Sequence, residues 1–393
     1  MELAMKKRNY IQLFLLAGVV MSLLAACQEP FHVKKGSQLR FKVTARGDVA
    51  TKTAYSGDII NGKERIDWST NDKIRIYSSD KDQVGTSDGK DFYDYTISGA
   101  THDDGSVISE ATLAGVADGA GLVWLNDPYG VTIYGAYPPL SDVSYYTSTV
   151  NNVTKSELAS FNKMKIPSTQ ELTWSTETNN DGVTTVTGAA NMTYAYMLAR
   201  PTQFEENSNT SEPEVTLDFY PVFNAFYIEL ASQDNEIELN SLELVSTSNY
   251  LAGEYQYSLF SISNDQRTDY FATGAPSPSG IGHTGNLDSY TLHVDFPDDT
   301  KITTTNSVKV TILARPPQPG ATLTNLTLKV NHSGNKTSSL ELRKSGTNGE
   351  FFKIDAFKKA RLTGVAMKGA WTITFDVDVD DWDYSNSTIT LPI

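Results

Sequence analysis

Apolar and polar residues alternate with a period of two in segment after segment of this chain. Leu39, Phe41 and Val43 alternate with Arg40, Lys42 and Thr44, which gives an extended backbone one apolar and one polar face. The same alternation runs through Val215-Thr216-Leu217-Asp218-Phe219 and through Phe223–Leu230. A helix repeats its faces every 3.6 residues and cannot satisfy this pattern, so the chain is committed to strands. Further strands are expected around Ile74 and Ile76, and at Leu122–Leu125, Val131–Ala136, Thr184–Thr187, Ala195–Ala199, Leu239–Val245, Tyr290–Phe296, Val308–Ala314, Leu323–Val330, Trp371–Val379 and Thr388–Leu391. Asn71-Asp72 is expected to turn between two of them. Only Lys155–Asn162 carries a helical signal, worth one turn or two. No repeat of fixed period is visible, which argues against a propeller or solenoid.

Composition agrees with a β-protein. Twenty tyrosines, 16 phenylalanines and five tryptophans suit half-buried pleated surfaces. Two stretches read as irregular: Pro201–Pro213, polar and bracketed by prolines, and Ala272–Gly285, rich in glycine, proline and serine. The first lies near the middle of the chain and is expected to be a linker. The fold class expected is therefore all-β, with two antiparallel β-sandwich domains in series. Their expected bounds are 27–200 and 214–393, joined by the linker 201–213 and preceded by a removable segment, 1–26. The net charge is −15, so phosphate backbones would be repelled and nucleic acid is not an expected partner.

The removable segment has a basic start (Lys6, Lys7, Arg8), an apolar run from Ile11 to Leu24, and small residues before Cys27. That order is the one a secretory signal requires, and the run is shorter than the ~20 apolar residues that span a bilayer. Leu24-Ala25-Ala26-Cys27 resembles the bacterial lipoprotein box, in which the cysteine is diacylated and becomes the mature N-terminus. Cys27 is the only cysteine, and a lone cysteine in an exported chain has no partner within it. The expected location is the bacterial outer membrane or cell surface, with the membrane engaged through lipid on Cys27.

Several landmarks follow in order: Leu39-Arg40-Phe41-Lys42-Val43, Thr51–Tyr55, Ile66-Asp67-Trp68, Asn71–Ile76, Tyr134-Gly135-Ala136-Tyr137-Pro138, Tyr196–Ala199, Val215–Leu230, Leu239–Gly253 and Lys358–Trp371. The series resembles the fimbrillin family of Bacteroidetes, lipoprotein precursors of type V pili. The resemblance implies two transthyretin-like sandwich domains and a structural or adhesive role without catalysis. It also implies that a trypsin-like protease cuts after an arginine and removes an N-terminal strand, whose groove then accepts a strand of another subunit. On that resemblance the candidate removable strand in this chain is Gln38–Ala45, with Leu39, Phe41 and Val43 expected to face the groove. The candidate cut is after Arg46 or Arg40, the alternative being that Arg46 is a surface residue of a lipoprotein that is never cleaved. Arg46 is favoured, because Gly47-Asp48 follows it while Arg40 lies within the expected strand. The candidate donor is the terminal stretch carrying Ile389, Leu391 and Ile393, which is alternatively the last strand of its own domain. The partners implied are other pilus subunits and a ligand on a host or bacterial surface.

Other chemistry is sparse. The five histidines, His32, His102, His283, His293 and His332, match no metal or triad spacing, and no phosphate loop or nucleophile elbow occurs. No cofactor is expected. Asp376, Asp378 and Asp380 share one strand face, about 6.6 Å apart, and are either a solvated acidic edge or a weak calcium site; the edge is favoured. Arg46-Gly47-Asp48 is an integrin-type tripeptide at the expected cut. A surface lipoprotein that binds glycans through Trp124, Trp174 or Trp382 is the main alternative, and a secreted hydrolase a weaker one.

Overall fold

The computed structural model describes residues 38–45, 59–60, 63–64, 68, 70–82, 84–101, 109–114, 120–125, 132–150, 153–206, 213–263, 266–271, 276–334, 336–343, 351–368, 372–381 and 387–389. Among them the regular structure is all strand apart from two short 3-10 helices, Met192–Tyr194 and Pro278–Gly280. The all-β expectation therefore holds.

Seven strands close into a barrel in the order Arg40–Ala45, Pro213–Pro221, Met197–Glu206, Ile133–Tyr137, Lys73–Ser78, Phe92–Thr101 and Ser109–Leu113, the last returning to the first. Closure removes the open edges that an isolated sheet would expose. Every pairing in the barrel is antiparallel except that of Arg40–Ala45 with Pro213–Pro221. We call Arg40–Ala45 the lead strand. Inside the barrel the indole of Trp68 meets Phe219 and Tyr137 edge-on, with centroids 5.4 and 5.5 Å apart.

Among the described residues the other strands form a seven-stranded, a five-stranded and a four-stranded sheet, with three two-stranded pairs besides. The first two run in the orders Thr173–Thr178, Thr184–Ala189, Ser307–Ala314, Asn224–Ser232, Lys358–Lys368, Thr372–Asp381, Ser387–Ile389, and Thr291–Asp295, Ile237–Ser246, Leu326–His332, Lys336–Glu341, with Lys301–Ile302 also paired to Ile237–Ser246. Buried residues of both, such as Ile228, Val310, Leu242 and Leu328, belong to one continuous core. The four-stranded sheet places Val143–Val150 and Val153–Ile166 beside Gly253–Ser258 and Ile281–His283. Strands between 143 and 189 thus pair with strands beyond 253.

Three local expectations differ from this architecture. The expected linker 201–213 enters strand at both ends. Residues 201–206 continue Met197–Glu206, which pairs with Pro213–Pro221, so chain after the expected boundary still builds the barrel. Pro201 is accommodated because the register shifts between Pro201 and Gln203, and a bulge is where a residue without an N–H is tolerated. Lys155–Asn162 is not helical but lies inside the strand Val153–Ile166. Register shifts at Ser144/Tyr145 and at Phe161/Met164 put buried Leu158 and Phe161 three positions apart, which imitates helical spacing. Finally, part of Ala272–Gly285 is ordered as a 3-10 turn and the strand Ile281–His283. The turn at Asn71-Asp72 holds: Asn71 has φ +75° and donates its N–H to Ile97 O at 2.9 Å.

Candidate functional site: the seat of the lead strand

The lead strand lies between two neighbours along its outer half. Val43 stands opposite Leu217 on one side and Ala111 on the other, and Ala45 opposite Phe219 and Ser109. Its alternation is used as the sequence implies. Leu39, Phe41, Val43 and Ala45 are buried, and burying a leucine, phenylalanine or valine side chain contributes about 1.5–3 kcal/mol. Phe41 meets Tyr95 edge-on at 5.2 Å. The Tyr95 hydroxyl accepts the Leu122 N–H at 2.9 Å, and burial pushes its pKa well up, so it stays protonated.

The strand is also clasped where it enters. Leu39 donates its N–H to Leu122 O at 3.0 Å, and the Gln38 amide donates to Ala120 O at 2.8 Å. No covalent link other than the chain itself retains it, since Cys27 is the only cysteine.

The outward face has a different chemistry. Arg40 is exposed and stands opposite Glu214 in register. Lys42 pairs with Glu110 at 2.6 Å, with both side chains about 40% exposed, a contact worth at most about 1 kcal/mol. Thr44 and Asp218, directly opposite, are both buried, and the Thr44 hydroxyl donates to the Asp218 carboxylate. The rim of the seat is thus acidic wherever the strand offers a cation or a hydroxyl. Sequence patterning found the apolar face but missed Asp218, which lies 174 residues from Thr44.

Of the other expected site residues, Cys27, Arg46, Leu391 and Ile393 lie outside the described residues, as do Gly47-Asp48, Trp382, His32 and His102. Ile389 ends the strand Ser387–Ile389 and stands opposite Val377. Asp376, Asp378 and Asp380 are not on an edge strand as expected, because Thr372–Asp381 runs between Lys358–Lys368 and Ser387–Ile389. In register they stand opposite Thr363, Arg361 and Lys359, so two of the three positions pair with basic positions across the ladder. Millimolar calcium is therefore expected to leave the melting temperature unchanged; a rise of several degrees would show that the row binds the ion.

Trp124 is buried and Trp174 is half-buried against Phe296, with centroids 5.7 Å apart, so Trp124 offers no face to a sugar. His283 bonds to Pro316 O at 2.9 Å, His293 to Asp295 at 2.9 Å and His332 to Ser338 at 3.1 Å. Among the described residues no cluster of three potential metal ligands occurs.

Comparison with protein-family models finds no match, and comparison with curated proteins finds none either. Solved structures do match, and they are fimbrial proteins and candidate cell adhesion proteins of Bacteroidetes. A candidate cell adhesion protein of Bacteroides uniformis is 13% identical with TM-score 0.42, over 88% of this chain and 98% of that one. The fimbrial anchor protein Mfa2 of Porphyromonas gingivalis is 11% identical with TM-score 0.27, over 90% and 100%. The tip fimbrial protein Mfa3 of the same organism, truncated at its C-terminus, is 8% identical with TM-score 0.33, over 88% and 99%. At these scores the likeness assigns this chain neither a family nor a function.

Proposed function

We propose that this chain is a non-catalytic subunit of a type V-like surface filament, exported as a lipoprotein on Cys27 and assembled by strand replacement. The observation that carries the reading is the lead strand. It is the first strand of the described chain, it follows the lipoprotein-box segment, and it fills a barrel position with three buried apolar residues, Leu39 just before it being a fourth. A cut after Arg46 would separate the lipid and the lead strand from the rest of the chain. Losing the strand would bare the apolar residues of its seat and open backbone edges on Pro213–Pro221 and Ser109–Leu113. A strand from another subunit would restore both burial and hydrogen bonds. In this reading Ile389, Leu391 and Ile393 belong to the donating segment.

Mild trypsin treatment of the purified precursor, followed by N-terminal sequencing and electron microscopy, tests it. The expected product begins at Gly47 and forms filaments or ladders. A product that stays monomeric after loss of the lead strand would overturn assembly by replacement and favour a surface-anchored lipoprotein that does not polymerise.

A further inference from the structure

We infer that the acidic rim of the lead-strand seat selects its occupant: it accepts a strand that presents a hydroxyl opposite Asp218 and rejects one that presents a carboxylate there. The inference rests on the strand-replacement reading above and adds to it which strands can enter. Apolar alternation alone would admit any amphipathic strand. The outward face is what differs between candidates.

Asp218 is only 2% exposed and Thr44 only 5%. When the lead strand leaves, one oxygen of a buried carboxylate loses the hydroxyl that donates to it. An incoming valine at that position would deprive the buried carboxylate of this hydrogen bond, one of the stronger kind because its acceptor is charged. An incoming carboxylate would add like-charge repulsion inside the sheet, where cross-strand neighbours are about 5 Å apart. The nearby rim reinforces this selection, since Glu110 pairs with Lys42 and Glu214 stands opposite Arg40.

This chain contains strands of both kinds. In Thr372–Asp381 the apolar residues Ile373, Phe375, Val377 and Val379 alternate with Asp376, Asp378 and Asp380. It has the right apolar period and the wrong outward face. In Ser387–Ile393 the apolar Ile389, Leu391 and Ile393 alternate with Thr388 and Thr390, with no carboxylate side chain. The occupant is accordingly an acid-free, hydroxyl-bearing strand of a second copy, of the kind that segment provides.

The test uses the full-length chain cut by trypsin, with labelled peptides spanning Gln38–Ala45 added in competition. The wild-type peptide and one carrying Thr44→Ser are expected to enter with similar affinity. The Thr44→Val peptide should bind about ten- to a hundredfold more weakly, and the Thr44→Glu peptide more weakly still. A peptide of Thr374–Asp380 should be excluded. In an Asp218→Asn chain, which keeps the shape of the side chain, rejection of the Thr44→Glu peptide should be relieved. Equal entry of the wild-type and Thr44→Val peptides would overturn the selection while leaving strand replacement intact. Entry of no peptide, wild type included, would overturn strand replacement itself and the selection with it.

Discussion

Replacing Phe219 with alanine is expected to lower the unfolding free energy by about 3–5 kcal/mol, seen as a lower denaturation midpoint with an unchanged slope. The ring is fully buried and packs edge-on against Trp68. It also occupies the space that a side chain at position 135 would need: a Cβ on Gly135 would lie 2.5 Å from Phe219 Cζ. The glycine and the phenylalanine are thus one packing unit shared by two barrel strands. Both strands that flank Pro213–Pro221 are hydrogen-bonded to it along their length, so the walls cannot fold inward to fill the cavity, and the cost falls at the upper part of the range. The converse change, Gly135→Ala, should cost about 1–3 kcal/mol through overpacking. A loss below about 1 kcal/mol for Phe219→Ala, under the usual range for a buried ring, would show that the barrel centre does not depend on it.

Removing the carboxylate of Asp288 should cost about as much, for an electrostatic reason. The Arg315 side chain is fully buried, and its Nη1 donates to Asp288 and, at 3.4 Å, to Glu254 O. Its Cζ lies 5.3 Å from the ring centroid of Tyr250, while among the described residues Nε and Nη2 have no hydrogen-bond partner. Burial pushes the Arg315 pKa down and Asp288 opposes that shift, so the carboxylate is what makes a buried guanidinium tolerable. Asp288→Ala leaves the cation without its counter-ion, which typically costs about 3–5 kcal/mol. Arg315→Met removes the buried charge instead and should cost less, although Asp288 is then left alone at its more exposed position. The order of the two variants in chemical denaturation is the check, and equal losses would overturn the electrostatic account. Gly253 belongs to the same unit. Its φ is +130°, and a Cβ there would lie 2.5 Å from Asp288 Oδ1 and 2.9 Å from Arg315 Nη1, so the pair closes over a position only glycine can fill.

The apolar half of the lead-strand seat was legible in the chain. Leu39, Phe41 and Val43 announce a buried face by spacing alone, and all three are buried. Thr44 was not legible as anything but a polar residue, because its partner comes from a strand that no local signal links to it. The same limit explains Val153–Ile166. Two register shifts change the phase of the alternation within one strand, and period counting then reads a helix. The polar, proline-bracketed stretch 201–213 misled for a related reason: proline forbids a ladder hydrogen bond at its own nitrogen, yet a bulge or a strand end removes the need for one.

The class of structure, and the buried face of most strands, could be read from the chain alone. Both follow from a two-residue period that most of the strands carry within themselves, whatever their partners. The pairings came from the fold: residues 40–45 run parallel to 213–221 and close a barrel, and strands between 143 and 189 share sheets with strands of the second half. A strand's two edges carry the same N–H and C=O groups all along the chain. Local pattern therefore cannot name the neighbour, and the choice falls to side chains that meet only after the chain has folded.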